Sequence, residues 1–160
     1  MKPVPANPDH DPPRPSRTRG TVLLVEDELD NVKVAELQLR KRYEVLIATT
    51  DQEACEALRT SGTTIDAVLM DLQLRGSDLD GFQLARVMRG EVLDVELPAF
   101  ARGLPASCGD IPILFVTAFA HSDEFDFDAV RASAVVGKPI NFSELNLKLT
   151  QLYLARISSR

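Results

Sequence analysis

The sequence has no long apolar run, and this absence excludes one class of protein. No stretch approaches the roughly 20 consecutive apolar residues that a helix needs to span a bilayer. The N-terminal segment has prolines where a secretory signal would have an apolar core. We therefore expect a cytoplasmic protein that does not bind a membrane.

Cysteine and histidine are scarce, with two of each among 160 residues. Cys55 lies in a helical pattern and Cys108 in a loop pattern, and neither belongs to a Cys-x-x-Cys motif. His10 and His121 have no partner at metal-ligand spacing. The spacing excludes a zinc site and a disulfide framework, so we expect two reduced thiols and two solvated imidazoles.

Basic residues are also too few for a nucleic-acid interface. The chain has 18 Lys and Arg against 24 Asp and Glu, which gives a formal net charge of -6. No helix or strand pattern concentrates basic and aromatic residues on one face. Direct binding to nucleic acid is therefore not expected.

What the chain does have is enough apolar content, 44%, for one well-buried core. Residues 1–19 hold six of the ten prolines and almost nothing apolar. Ordering them would bury too little surface to offset the lost entropy. We predict a disordered Pro-rich tail over 1–19 and a single domain over 20–160.

Within that domain, short β-branched runs alternate with helical patterns, which is typical of a parallel sheet. The predicted strands are 21–25, 43–48, 65–70, 111–116 and 134–136, and the predicted helices are near 30–41, 51–60, 81–93, 123–132 and 142–157. This alternation predicts an α/β, flavodoxin-like, doubly wound sheet of five parallel strands in the order 2-1-3-4-5.

One segment interrupts the alternation. Residues 90–110 contain two prolines and two internal glycines without a clean period, whereas a helix-to-strand connection usually takes ~2 to 6 residues. We predict an insertion with an extra helical turn around 94–102. Because such a connection enters the sheet at the amino ends of the strands, we expect the insertion to lie away from the carboxyl ends of the strands, which form the opposite edge of the sheet.

Polar side chains follow the strands at that opposite edge. Glu26 and Asp27 follow the first strand, Asp71 the third, Thr117 the fourth and Lys138 the fifth. Ligands of doubly wound sheets bind beyond the carboxyl ends of the strands, where the strand order reverses. Carboxylate oxygens suit Mg²⁺, and a carboxylate beside a metal and a cation can attack a phosphoryl group.

Four motifs carry a resemblance to a known family: Val25-Glu26-Asp27-Glu28, Asp71-Leu72-Gln73-Leu74, Phe115-Val116-Thr117-Ala118 and Lys138-Pro139. In this order they resemble the receiver domain of bacterial two-component response regulators, the CheY-like superfamily, over about 21–157. The resemblance implies a phosphoacceptor signalling protein with Mg²⁺ as its cofactor, and no enzyme activity beyond self-phosphorylation and autodephosphorylation.

The resemblance also implies roles for individual residues. Asp71 would be the phosphoacceptor, and Glu26, Asp27, Asp71 and the backbone carbonyl of Gln73 would hold the metal. Lys138 would bridge the phosphoryl group and the acids, and Thr117 would sense phosphorylation. A cis peptide would precede Pro139, since X-Pro bonds accept that isomer at little cost.

The chain departs from the family pattern at Val135 and in the loop 75–81. Val135 stands where most receivers have a Tyr or Phe, three residues before the lysine. Phe119 either replaces that aromatic, in which case its ring screens the acyl phosphate from water, or only plugs the loop. The loop 75–81 is longer than the customary one.

The implied partners are a sensor histidine kinase or histidine phosphotransfer protein and a downstream protein effector. In the last helix, Phe142, Leu145, Leu149 and Leu152 form one stripe, while Leu147 and Leu154 project from nearly the opposite side. This second apolar patch indicates either a contact, such as a homodimer through the 123–157 face, or isolated surface leucines.

The favoured interpretation is a single-domain response regulator that signals through phosphorylation-dependent protein interaction. The alternative is a phosphorylation-independent binding module with the same fold, which Val135 favours. An aspartyl-phosphate phosphohydrolase is disfavoured because Gln73 stands where its general-acid Asp would be. A receiver from a hybrid kinase is a further possibility.

Overall fold

The computed structural model describes residues 19–159, so most of the predicted 1–19 tail lies outside the described residues. The strands are β1 (Thr21–Val25), β2 (Glu44–Ala48), β3 (Ala67–Asp71), β4 (Ile113–Thr117) and β5 (Ala134–Gly137). The helices are α1 (Leu29–Leu39), α2 (Asp51–Ser61), α3 (Gly81–Met88) and α4 (Phe142–Ser158).

The five strands form one parallel sheet in the order β2-β1-β3-β4-β5, which confirms the predicted topology. β1, β3 and β4 are the central strands, and every residue in them is buried. Strands covered on both faces have continuous apolar runs, which is why these three segments were recognisable in the sequence.

Helices cover the two faces of the sheet. α1 and α4 pack on one face through small stripes, Val32, Ala35 and Leu39 on α1 and Leu145 and Leu149 on α4. On the other face lie α2 and α3, with Leu58 and Leu84 fully buried. Leu147 and Leu154 on α4 point outward, with 60% and 56% of their surface exposed.

The helix predicted over 123–132 does not exist. Residues 118–133, all of which the structure describes, connect β4 to β5 through successive turns. The Asp126 side chain and backbone carbonyl both accept a hydrogen bond from Ala129 N. Such local bonds of Asp side chains compete with the helix.

Two phenylalanines explain why turns are preferred here. The Phe125 ring lies 5.5 Å from that of Phe82 in α3, and the Phe127 ring lies 5.1 Å from that of Phe115 in β4. In a helix, residues two apart would point about 200° away from each other. Because both rings enter the same aromatic cluster, burial of the rings opposes the helix.

The α3 helix is shorter than predicted because of the residues that follow it. Arg89 caps the helix through its N–H to Ala85 O, and Gly90 has φ 77°, a left-handed conformation that ends helices. The Arg89 guanidinium donates to four carbonyl oxygens, those of Gly109, Ile111, Val130 and Arg131. It thereby joins the insertion to the β4–β5 connection.

The insertion contains two short 3₁₀ helices, Ala99–Ala101 and Ala106–Asp110. Arg59 on α2 donates to Arg102 O at 2.8 Å. The expectation that the insertion lies only at the amino end of the sheet is wrong in part. Residues 96–99 and Arg102 line one hollow with Asp78, which belongs to the loop after β3. The insertion packs along α2 and so reaches that loop.

None of the helices within residues 19–159 has the length and apolar content that crossing a membrane requires.

Candidate functional site

Three carboxylates converge at the carboxyl end of the sheet. Glu26 and Asp27 follow β1 directly, and Asp71 is the last residue of the neighbouring β3. Glu26 and Asp71 are only 6% and 7% exposed. One oxygen from each of the three groups lies within 4.8 Å of the others. Adjacent parallel strands bring these acids together although 43 residues lie between Asp27 and Asp71 in the sequence.

Lys138 places a positive charge between two of these acids. Its Nζ donates to Asp71 Oδ2 at 2.8 Å and to Glu26 Oε2 at 3.1 Å. It follows β5, and its peptide bond to Pro139 is cis. Burial alone would lower the pKa of the Lys138 ammonium, but the hydrogen bonds and charges of Asp71 and Glu26 outweigh it and raise that pKa. Lys138 is therefore charged at neutral pH.

The Glu26 carboxyl is buried beside a second acid. Burial raises the pKa of its carboxyl, and the neighbouring Asp71 charge adds to this rise, against the hydrogen bonds from Glu28 N and Lys138. The Glu28 N–H donates to Glu26 Oε1 at 3.0 Å. The exposed Glu28 side chain is not part of the acidic cluster. Crowded carboxylates with a single cation favour the binding of a further cation.

Thr117 and Phe119 stand on the other side of the same cleft. Thr117 ends β4 with 1% of its surface exposed, and its Oγ1 accepts a hydrogen bond from Phe119 N at 3.0 Å. Phe119 as a whole residue is 41% exposed. The cleft of about 500 Å³ has lining residues from four loops: Asp27 to Asp30, Asp71, Gln73, Arg75, Thr117 to Phe119 and Lys138.

The loop after Asp71 is held by carboxylates at both of its ends. Arg75 N donates to Asp27 Oδ2 at 2.8 Å. Further on, the buried Asp51 accepts hydrogen bonds from Asp78 N at 3.0 Å and Leu79 N at 2.9 Å. Sequence reasoning missed Asp51, because an acid in the first turn of a helix is usually explained by the helix dipole.

The donor set fits a magnesium ion. All of the converging atoms are carboxylate oxygens, which are hard ligands, and the cleft beside them is open to solvent. Gln73 follows Asp71 by two residues, and its N–H donates to Asp71 Oδ1 at 3.2 Å. The six residues predicted to form the site, Glu26, Asp27, Asp71, Gln73, Thr117 and Lys138, thus lie at one edge of the sheet.

The cysteines take no part in this site. Cys55 and Cys108 are both free and fully buried. Burial raises the pKa of the Cys55 thiol to about 11 and that of Cys108 in the same direction. Both thiols are therefore protonated at neutral pH and are poor nucleophiles and metal ligands.

Similar solved structures point to one kind of domain. The receiver domain of a Francisella response regulator matches with a TM-score of 0.67 at 17% identity, over 86% of this chain and 99% of that one. The HemR receiver domain from Leptospira biflexa, in its non-phosphorylated form, matches with a TM-score of 0.64 at 26% identity, over 84% and 94%.

A third match carries a metal. It is the receiver domain of a sensor histidine kinase from Pseudomonas aeruginosa, with magnesium coordinated in its active-site cleft. Its TM-score is 0.64 at 26% identity, over 84% of this chain and 98% of that one. No protein-family model matches the sequence, and no curated protein matches it either.

Proposed function

We propose that this chain, whose fold is that of the receiver domains of two-component response regulators, accepts a phosphoryl group on Asp71. The observation that carries the proposal is the Lys138 ammonium held between Asp71 Oδ2 and Glu26 Oε2. A nucleophile needs a cation beside it when the incoming group is an anion. Asp71 is the carboxylate that has both this cation and the open cleft.

In the proposed reaction, a carboxylate oxygen of Asp71 attacks the phosphorus of a donor phosphoramidate. The bond between phosphorus and the donor's imidazole nitrogen breaks, and its electron pair stays on that nitrogen, which takes a proton from solvent. The product is an acyl phosphate on Asp71. Lys138 then moves from neutralising the free carboxylate to neutralising the phosphoryl oxygens.

Magnesium is the proposed cofactor of this step. Asp27, Asp71 and the backbone carbonyl of Gln73 would bind it, with Glu26 acting through water, and the metal would neutralise charge on the transferring oxygens. The similar receiver domain with magnesium in its cleft supports this assignment. The converging carboxylate oxygens and the raised pKa of Glu26 support it independently.

Thr117 is the proposed sensor of the phosphoryl group. Its hydroxyl oxygen accepts a hydrogen bond from Phe119 N in the same cleft. A phosphoryl oxygen that accepted a hydrogen bond from this hydroxyl would change the contact and shift the start of the β4–β5 connection. A downstream protein would then recognise the altered surface.

The phosphoryl donor would be a sensor histidine kinase or a histidine phosphotransfer protein. We further propose that the regulator acts in the cytoplasm, where the two free cysteines would stay reduced. A homodimer through the α4 surface with Leu147 and Leu154 belongs to the same proposal. The similar receiver domains come from a response regulator in one case and from a sensor histidine kinase in another. The alternative is therefore that this chain is the receiver domain of a hybrid kinase.

The test is phosphorylation with a small donor. Wild type, Asp71→Asn and Asp78→Asn are incubated with acetyl phosphate and MgCl₂, and intact mass is measured. We expect one phosphoryl group on wild type and on Asp78→Asn, whose exposed carboxylate lies in the same loop. None is expected on Asp71→Asn or with EDTA. Equal labelling of Asp71→Asn would overturn the proposal.

A phosphorylation-independent binding module is the second candidate. Val135 in β5 packs partly buried against the core, so no aromatic side chain is present there to move between two positions. The missing helix between β4 and β5 adds to this difference. Partner binding that is equal for wild type and Asp71→Asn, with and without acetyl phosphate, would favour this candidate.

A further inference from the structure

Arg75 lies on the side of its loop that faces the cleft. The segment after β3 alternates between inside and outside: Leu72 and Leu74 are 2% and 6% exposed, whereas Gln73 and Arg75 are exposed. Alternation of this kind places residues two apart on the same side of an extended chain. Asp71, Gln73 and Arg75 therefore share one side, and all three line the cleft.

The backbone of Arg75 is fixed relative to the acids. Its N–H donates to Asp27 Oδ2 at 2.8 Å, so the residue is held beside a carboxylate of the cluster. Gly76 follows with φ 73°, a left-handed conformation that turns the chain immediately after it. The side chain of Arg75 thus starts from a defined point at the rim of the cleft, four residues from Asp71.

The charges of the cleft leave a role for a second cation. Lys138 is the other cationic residue among those that line it, and its ammonium is already bonded to Glu26 and Asp71. A bound divalent metal and Lys138 together would offset the three clustered carboxylates. A phosphoryl dianion that arrives next would bring two more negative charges than the metal and Lys138 offset, and Arg75 is the second cationic residue in the lining. A guanidinium is suited to this task because its fork of donors matches two phosphoryl oxygens.

We propose that Arg75 binds the oxygens of the transferring phosphoryl group and makes the cleft selective for dianionic phosphoryl donors. This proposal rests on the proposed function, since it gives Arg75 a ligand only if Asp71 is the phosphoacceptor. Arg75 holds the donor's phosphoryl group against Asp71 before the transfer and contacts the acyl phosphate after it. It contributes binding and orientation, while Lys138 neutralises the nucleophile.

The test compares wild type, Arg75→Ala, Arg75→Lys and Arg42→Ala. Arg42 is an exposed arginine just before β2, at the amino end of the sheet, so its loss changes net charge equally but far from the cleft. The rate of acetyl phosphate labelling is measured by intact mass. Binding of beryllofluoride, an anion that resembles a phosphoryl group, is measured by fluorine NMR, and Mg²⁺ affinity by calorimetry.

We expect Arg75→Ala to lower the labelling rate and the beryllofluoride affinity by about tenfold, the scale of one lost charge-assisted hydrogen bond. Arg75→Lys should recover part of this loss because it restores charge without the fork. Mg²⁺ affinity should stay within about twofold of wild type, since the Asp27 contact uses the backbone N–H of residue 75. The loss should shrink at high salt because the cleft is open.

Arg75→Ala that matches Arg42→Ala in labelling rate and in beryllofluoride affinity would overturn the Arg75 proposal and leave the proposed function intact. A loss of Mg²⁺ affinity equal to the loss of labelling would also overturn it, because Arg75 would then act only by placing Asp27. Wild type that takes up no phosphoryl group at Asp71 would instead refute the proposed function, and the role of Arg75 with it.

Discussion

Gly81 packs directly on the backbone carbonyl of Asp71. A Cβ atom at position 81 would overlap Asp71 O and would also press on the Met70 side chain. Gly81 N in turn donates to Leu72 O at 2.9 Å. The first residue of α3 therefore fixes the end of the strand that carries the candidate phosphoacceptor, and the close approach explains why no side chain stands there.

The substitution Gly81→Ala should therefore destabilise the domain. Neither of the two backbones can yield without moving β3 or α3, so we expect a loss of about 1–3 kcal/mol or more in the free energy of unfolding. Urea denaturation measures it. Gly109→Ala is the control, because a Cβ there would meet only Met88 O at an ordinary 3.6 Å. Equal losses in both variants would contradict the steric explanation.

Removal of the Lys138 charge should lower the stability of the metal-free protein and increase the stabilisation that Mg²⁺ gives. In Lys138→Ala, Glu26 and Asp71 lose their shared cation, which should cost about 1–3 kcal/mol for this partly exposed pair. We expect a lower Tm without metal and a larger rise of Tm on addition of MgCl₂. Lys148→Ala, which breaks an exposed pair with Glu144, is the control. A smaller MgCl₂ effect in Lys138→Ala would argue against competition between lysine and metal.

The pKa of Glu26 predicts how stability changes with pH. Because burial and Asp71 raise this pKa, the folded carboxyl holds its proton at a pH where the unfolded one has lost it. The contribution of Glu26 to the free energy of unfolding is complete below the pKa that this carboxyl has in the unfolded chain. It is lost as the pH rises through the pKa of the carboxyl in the folded protein. At neutral pH without metal, Glu26→Gln should accordingly be more stable than wild type by about 1 kcal/mol.

Urea denaturation between pH 4 and pH 7 tests this expectation. The advantage of Glu26→Gln should be present at pH 7 and vanish at the acidic end, whereas Glu28→Gln, an exposed neighbour, should behave like wild type. Glu26→Gln should also bind Mg²⁺ more weakly, since the cluster loses a charge. A variant that is less stable than wild type at pH 7 would show that the Lys138 contact outweighs the burial of the charge.

Phe119 should lengthen the lifetime of the acyl phosphate. Its ring lies in the cleft wall beside Thr117, where it can limit the approach of water to Asp71. For Phe119→Ala we expect a several-fold shorter half-life, followed by intact mass after the donor is removed. Leu147→Ala, an exposed apolar residue on α4, should leave the half-life unchanged. An unaltered half-life in Phe119→Ala would show that the ring only fills space in the loop and does not protect the acyl phosphate.

Arg89 should be needed for the β4–β5 connection. Its guanidinium satisfies four carbonyl oxygens on two segments, and burial lowers its pKa, which marks a cation held in a partly dry environment. Arg89→Met should cost about 2–4 kcal/mol because the carbonyl oxygens of the buried Ile111 and Val130 lose this charged donor. Arg89→Lys should recover little, since one ammonium does not reproduce the planar fork. Urea denaturation of both variants measures the loss in the free energy of unfolding, with Arg42→Met as control. A loss in Arg89→Met no larger than that in Arg42→Met would contradict the prediction.

The parts of this protein that the sequence predicts well are those that depend on neighbouring residues. The strands are continuous apolar runs, and Glu26, Asp27, Asp71, Thr117 and Lys138 follow them directly. Parallel strands then bring these residues to one edge without further information. The stripe of Leu145 and Leu149 on α4 was also recognisable because its period matches the helix.

The parts that the sequence did not predict depend on contacts between distant segments. The segment with Phe125 and Phe127 is not helical because these rings pack on aromatic rings of α3 and β4. Those contacts join distant segments, so the local sequence pattern does not indicate them. Asp51 binds the loop after β3 from another helix. The insertion reaches Asp78 along α2, a path that composition cannot indicate.

The turns between β4 and β5 give that face of the domain a distinct thermodynamic character. A helix would have to break a ladder of hydrogen bonds to move, whereas this segment is held by separate turns, by the Arg89 guanidinium and by the contacts of aromatic rings. Opening it would expose apolar surface and so would increase the heat capacity, and the restraint would weaken on cooling. Thr117 lies directly before this segment and Phe119 lies within it, so a change sensed in the cleft would enter a part of the molecule whose restraint depends on temperature.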